Sequence, residues 1–166
     1  KAGEILTENG VVIPQFTPRE LHEYLGRIKE AKEYFNAPVD EQKLQDAIDY
    51  VSESPFKGVI HGDTKESNWF FENLGDLERI SDGERRIDLL SPMIEEGFDT
   101  RRMHDDLPIY AKGDGHEATD LVAYFVAVRE NCGASLRALK TGKVDAHKVK
   151  YEQFLAANHP VKSRVA

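Results

Sequence analysis

Between residues 17 and 35 the apolar positions Leu21, Tyr24, Leu25, Ile28, Ala31 and Phe35 return every three or four residues, the period of one helix face. Thr17-Pro18 precedes them as an N-cap followed by proline at the first helical position, so the pattern predicts a helix over TPRELHEYLGRIKEAKEYF. A second helix is predicted from near Asp40, with Leu44, Ala47, Ile48 and Val51 on one face, ending before Pro55. Ahead of both, VVIPQF (11–16) has a β-rich opening closed by proline. The period then shortens. FKGVI (56–60), NWFF (68–71) and LERIS (77–81) read as three strands, separated by the turn-rich HGDTKES and ENLGD.

A helix is predicted over about 84–96, tolerating or kinking at Pro92, followed by a short strand LPIYA (107–111). From Glu117 the chain reads as helical, with Leu121, Tyr124, Phe125 and Val128 on one face and a break at Cys132-Gly133. No segment repeats. The sum is an α+β fold, a small mixed β-sheet flanked by helices and expected to form one domain over 1–166.

Composition narrows the class. The 166 residues are 40% hydrophobic, enough for one ordinary core and too few for two full domains. Charged residues make up 31%, no apolar run approaches a membrane span, and KAGEILTENG lacks a signal-peptide core, so a soluble, cytoplasmic protein without a membrane partner is expected. Cys132 stands alone, which excludes an intramolecular disulfide framework and a multi-cysteine zinc site. The formal net charge of -8 argues against a dedicated DNA-coating protein, because phosphate neutralisation supplies most nucleic-acid affinity. Any DNA contact would need a local basic patch, for which Arg79, Arg85, Arg86, Arg101 and Arg102 are the candidates.

One short stretch concentrates chemistry. ISDGERRIDLL (80–90) places Ser81, Asp82, Gly83, Glu84, Arg85 and Arg86 where a strand is expected to meet a helix. Two readings stand. In the first, free N–H groups at the helix start and the forked donors of Arg85 and Arg86 form a phosphate cradle, with exposed Glu84 holding magnesium or orienting a water. In the second, Asp82-Gly83 is a turn and Glu84 a favourable charge at a helix N-terminus.

The order of elements adds to the first reading. A strand, then GERR opening a helix, then Leu107-Pro108-Ile109-Tyr110, then a helix carrying Arg129-Glu130-Asn131, resembles the ParB/sulfiredoxin superfamily over roughly residues 44–140. The resemblance implies a stand-alone short member of that superfamily that binds and hydrolyses ATP or CTP with Mg2+. Glu84 would be catalytic. Ser81, Asp82, Gly83, Arg85, Arg86, Glu130 and Asn131 would bind the nucleotide, with Glu84 and Glu130 as metal ligands. The implied setting is a plasmid or mobile element, with nuclease activity on DNA and a partition or conjugation protein as partner. Where the family continues ENxxR, this chain has Ala134, and where the family's box continues with a small residue it has Ile87-Asp88-Leu89. Glu84 also stands where sulfiredoxin carries its nucleophilic cysteine, which excludes that repair chemistry.

Two alternatives come from other classes. His61-Gly62-Asp63 and Asn68 match the HGDxxxxN loop of small-molecule phosphotransferases, where the aspartate accepts a hydroxyl proton and the asparagine holds magnesium. The bland alternative makes them surface turn residues. An acidic, non-catalytic inhibitor of a basic nucleic-acid-handling protein is the second alternative. His104, Asp105, Asp106, Asp114, His116 and Glu117 carry no fixed metal spacing and read as acidic loop residues.

Overall fold

In a computed structural model of the chain, residues 8–18, 20–31, 39–64, 68–70, 73–75, 79–95 and 116–144 are described. Among the described residues four helices and four short strands form an α+β arrangement. Helix α1 (Glu20–Glu30) starts just after Thr17-Pro18, and its apolar stripe buries Leu21, Leu25 and Ile28. Its predicted continuation to Phe35 lies outside the described residues. Helix α2 (Glu41–Glu53) follows the pattern more closely. Asp40 is its N-cap, accepting a hydrogen bond from the Lys43 amide at 3.0 Å, and the buried face is Leu44, Ala47, Ile48 and Val51.

Strand β1 (Lys57–Ile60) pairs antiparallel with β4 (Ser81–Glu84), in the register Lys57 with Glu84, Gly58 with Gly83, Val59 with Asp82 and Ile60 with Ser81. Between them, β2 (Trp69–Phe70) and β3 (Asn73–Leu74) form a separate hairpin. On the far edge of β4 a parallel bridge joins Gln15 to Asp82, so the segment opened by VVIPQF lies beside the sheet. The third strand sits later than the alternation of LERIS suggested. Asp82-Gly83 is inside the ladder and is not a turn, because β1 supplies pairing partners that local sequence does not reveal.

Helix α3 (Arg86–Glu95) runs through Pro92. A proline at that position cannot donate to the carbonyl four residues earlier, which belongs to Asp88. Thr64 takes it instead, its hydroxyl donating to Asp88 O at 2.7 Å. Helix α4 (His116–Thr141) is continuous through Cys132-Gly133, where the sequence suggested a break. Cys132, Ser135 and Ala138 prolong its buried face, and that packing offsets the roughly 1 kcal/mol cost of a helical glycine. It ends at Gly142, whose φ of 72° lets the Lys143 amide reach Ala138 O at 3.1 Å.

The core is built around α4. All seven residues from Val122 to Val128 are buried, because α1, α2 and α3 each pack against this helix. Tyr124 reaches out of that core to accept the Asp40 amide at 2.9 Å, tying α4 to the start of α2. Its burial raises the phenol above its ordinary pKa, and the same desolvation lowers that of Lys43, which lies 5.3 Å above the Tyr124 ring. Among the described residues no helix is long and apolar enough to cross a membrane.

Candidate functional site

The opening motif was expected to present Glu84 to solvent at a helix start. Instead the carboxylate is 0% exposed. Its Oε1 accepts from the Arg86 amide at 3.0 Å and from Arg86 Nε at 2.9 Å; Oε2 accepts from an Arg86 terminal nitrogen at 3.1 Å and from the Ser54 hydroxyl. The rest of the Arg86 guanidinium donates to Thr119 Oγ1 at 3.1 Å and to the Tyr50 hydroxyl at 2.6 Å. Rings of Tyr50 and Phe56 lie 5.5 and 5.3 Å from its central carbon. The Arg85 amide is taken by Phe56 O at 3.1 Å.

The anion seat at the start of α3 is therefore filled by the chain's own carboxylate, and Arg86 spends its fork inward. This pair joins α2, β4, α3 and α4 as a structural clasp. Arg85 is exposed and folds its side chain over Gly58, where a Cβ would lie 2.4 Å from Arg85 Nε. Asp82 accepts from the Gln15 amide at 3.0 Å. Asn131 is buried and donates back to Ala127 O at 2.8 Å. Of the nucleotide-binding residues expected from the resemblance, Ser81 and Glu130 line a cleft.

The HGD loop is also an internal structure and not a surface turn. His61, Asp63, Thr64 and Asn68 are 5–7% exposed. The two oxygens of Asp88 accept from the His61 amide at 2.6 Å and the Gly62 amide at 2.8 Å. His61 Nδ1 accepts from the Asp63 amide at 3.2 Å, which places the ring proton on Nε2, and Nε2 donates to Gly75 O at 2.6 Å. Asn68 gives its side-chain amide to Asp63 O at 2.7 Å and so ties the loop to itself. Gly62 is required by its φ of 82° and by Arg79 O, which would lie 3.1 Å from a Cβ.

What the loop, α1 and α4 enclose is a cleft of about 710 Å3. Arg27, Arg79, Arg129, Arg137 and Lys140 line it, with Glu30, Asp63 and Glu130 as the acidic members. Five cations against three anions is a local excess of positive charge in a chain whose net charge is -8. At Tyr24, Arg79 and Arg129 it meets a second cleft of about 390 Å3, lined by Phe16, Leu21, Phe125 and Ile80 with Ser81 and Gly62. Two buried polar atoms there have no hydrogen-bond partner among the described residues: Ser81 Oγ and Arg129 Nε. Ser81 is 5% exposed and the Arg129 side chain 12%. Arg129 otherwise holds Ser91 Oγ at 3.2 Å and Glu130 Oε1 at 3.1 Å. Leaving such atoms unpaired costs about 1–3 kcal/mol each.

The motif reading did not find this cleft, although α4 carries a signal for it. Arg129, Gly133 and Arg137 follow at intervals of four, with Lys140 three further on, so they share one helix face. Of the proposed arginine patch, Arg86 is buried, Arg85 covers Gly58 and Arg79 joins the cleft, so these three do not share one surface. Arg101, Arg102, His104, Asp105, Asp106, the LPIYA segment and Asp114 lie outside the described residues. Among the described residues no group of three or more metal-ligating side chains forms. Cys132 is buried in α4, and burial pushes its thiol up to about 12, which makes it inert. Comparisons with protein-family profiles, with curated proteins and with solved structures find no match.

Proposed function

We propose that the chain binds a nucleoside triphosphate across the two joined clefts, its phosphates among the arginines and its ring system against Phe16, Tyr24 and Phe125. The observation that carries this reading is the convergence of Arg27, Arg79, Arg129, Arg137 and Lys140 on a cleft that meets an aromatic one at Tyr24, Arg79 and Arg129. The forked donors of a guanidinium suit phosphate oxygens. Aromatic side chains suit the face of any base. A distant ParB/sulfiredoxin-like relationship is part of the proposal, supported by the succession of β4, GERR and a later helix whose Glu130 reaches the cleft.

Magnesium binds through one or two carboxylates together with phosphate oxygens. Asp63 and Glu130 line the cleft and fit that mode, whereas the oxygens of Glu84 are committed to Arg86 and Ser54. The ion would supply charge neutralisation on the triphosphate. Phosphate release should accordingly depend on Asp63 or Glu130.

Calorimetric titration of ATP and CTP with magnesium tests the assignment. Arg79→Ala and Arg129→Ala should each weaken binding by about 10- to 100-fold, the range for a charge-assisted hydrogen bond. Arg85→Ala, which removes an equal charge outside the cleft, should leave affinity within about twofold. If all three variants bind as the parent does, or the parent takes up neither nucleotide at millimolar concentration, the cleft is not a nucleotide site.

A further inference from the structure

Gly83 lies within a strand and has no positive φ, so conformational freedom does not explain a glycine there. Space does. A Cβ at Gly83 would lie 2.8 Å from Phe16 Cβ and 2.8 Å from Ile60 Cδ1. The Ile60 methyl is the end of a flexible side chain and can rotate away. Phe16 Cβ is one bond from the backbone of the segment beside β4, so that segment itself would have to move.

That segment forms one wall of the aromatic cleft and is lightly held. The Phe16 amide donates to Asp82 O at 3.0 Å, the Asp82 amide donates to Pro14 O at 2.8 Å, and Gln15 adds its contact to the Asp82 carboxylate. Further out, Val12 is 89% exposed. The Phe16 ring meets Phe125 edge-on with centroids 5.8 Å apart, and both rings line the cleft with Leu21 and Tyr24. Any outward shift at Gly83 therefore withdraws an aromatic wall while leaving Arg27, Arg79, Arg129 and Arg137 in place.

We infer that Gly83 is a positioning residue that seats the 14–16 strap against β4, and that Phe16, so placed, is the specificity element for the ring-bearing end of the ligand. The inference rests on the nucleotide reading. It assigns the two halves of the site separate work: the arginines take the phosphates irrespective of what they are attached to, and the strap distinguishes a nucleoside from a bare polyphosphate.

The parent, Gly83→Ala and Phe16→Ala are titrated with ATP, CTP and inorganic triphosphate, and hydrogen exchange is followed at the Phe16 amide. Both variants should lose roughly tenfold in affinity for the nucleotide the parent prefers, as expected for loss of one aromatic stacking contact. Inorganic triphosphate should bind all three alike, and Gly83→Ala should exchange the Phe16 amide faster. Phe16→Ala adds no atoms to the fold, so it decides the matter should Gly83→Ala not fold. Nucleotide affinity equal to the parent's in Phe16→Ala overturns the inference, as does an equal loss of nucleotide and triphosphate. A parent that binds triphosphate but no nucleotide more tightly overturns it while sparing the arginine cleft; a parent that binds neither removes both.

Discussion

Glu84 shows how far the role of one residue depends on what surrounds it. Beside two arginines at an expected helix start, a carboxylate has the chemistry of a metal ligand. At 0% exposure and bound by Ser54 and Arg86, it has the chemistry of a core ion pair. Such a pair is weak evidence of net stabilisation, because both charges were desolvated to make it, yet removing one partner strands the other. Glu84→Ala would leave the Arg86 guanidinium buried without its counter-charge. It should lower the unfolding free energy by about 3–5 kcal/mol, read from urea melts. A variant that melts like the parent but loses phosphate release would restore the exposed, catalytic role. Arg86 itself points the same way: it is buried, and its donors reach inward to Glu84, Tyr50 and Thr119.

At the level of elements, the loop after β1 and the first turns of α3 are one unit. Pro92 frees the Asp88 carbonyl, Thr64 takes it, and the Asp88 carboxylate holds the His61 and Gly62 amides. This is why Gly62 and Asp63 stand at the clefts. Asp88→Ala should raise hydrogen exchange at the His61 and Gly62 amides by about tenfold or more, since each loses a charge-assisted acceptor worth about 1.5–3 kcal/mol. Amides of α2, on the other side of the core, should exchange at the parent rate. Uniform acceleration across both elements would mean that Asp88 supports the whole fold and does not position this loop.

Over the whole molecule the notable contrast is between total and local charge. A chain of net charge -8 repels polyanions at long range, so on the proposed reading a nucleotide would be drawn in by the nearby cations of the cleft. These cations are largely exposed, and salt screens exposed charges within about 10 Å at 0.1 M. Affinity for the triphosphate should therefore fall several-fold between 50 mM and 300 mM salt, whereas the apolar contribution of the aromatic half should not. Affinity that is flat across that range would argue that the arginines do not carry the binding.

Where the hydrophobic period was long and local, the helices could be read from it: Asp40 capping α2, and Leu44, Ala47, Ile48 and Val51 forming its buried face, follow from spacing and capping chemistry alone. The strands were legible as a group but not in position, because Asp82-Gly83 looks like a turn until β1 and the 14–16 strap are laid on either side of it. Cys132-Gly133 looks like a break until three other helices surround α4. The site was legible least. Arg27, Arg79 and Arg129 lie far apart in the chain, and nothing local tells that they meet around one cleft while the adjacent Arg86 turns inward. Helix period and caps are set by neighbours a turn away, whereas burial of a charge and the convergence of distant arginines are set by which surfaces pack together, and that is a property of the folded chain alone.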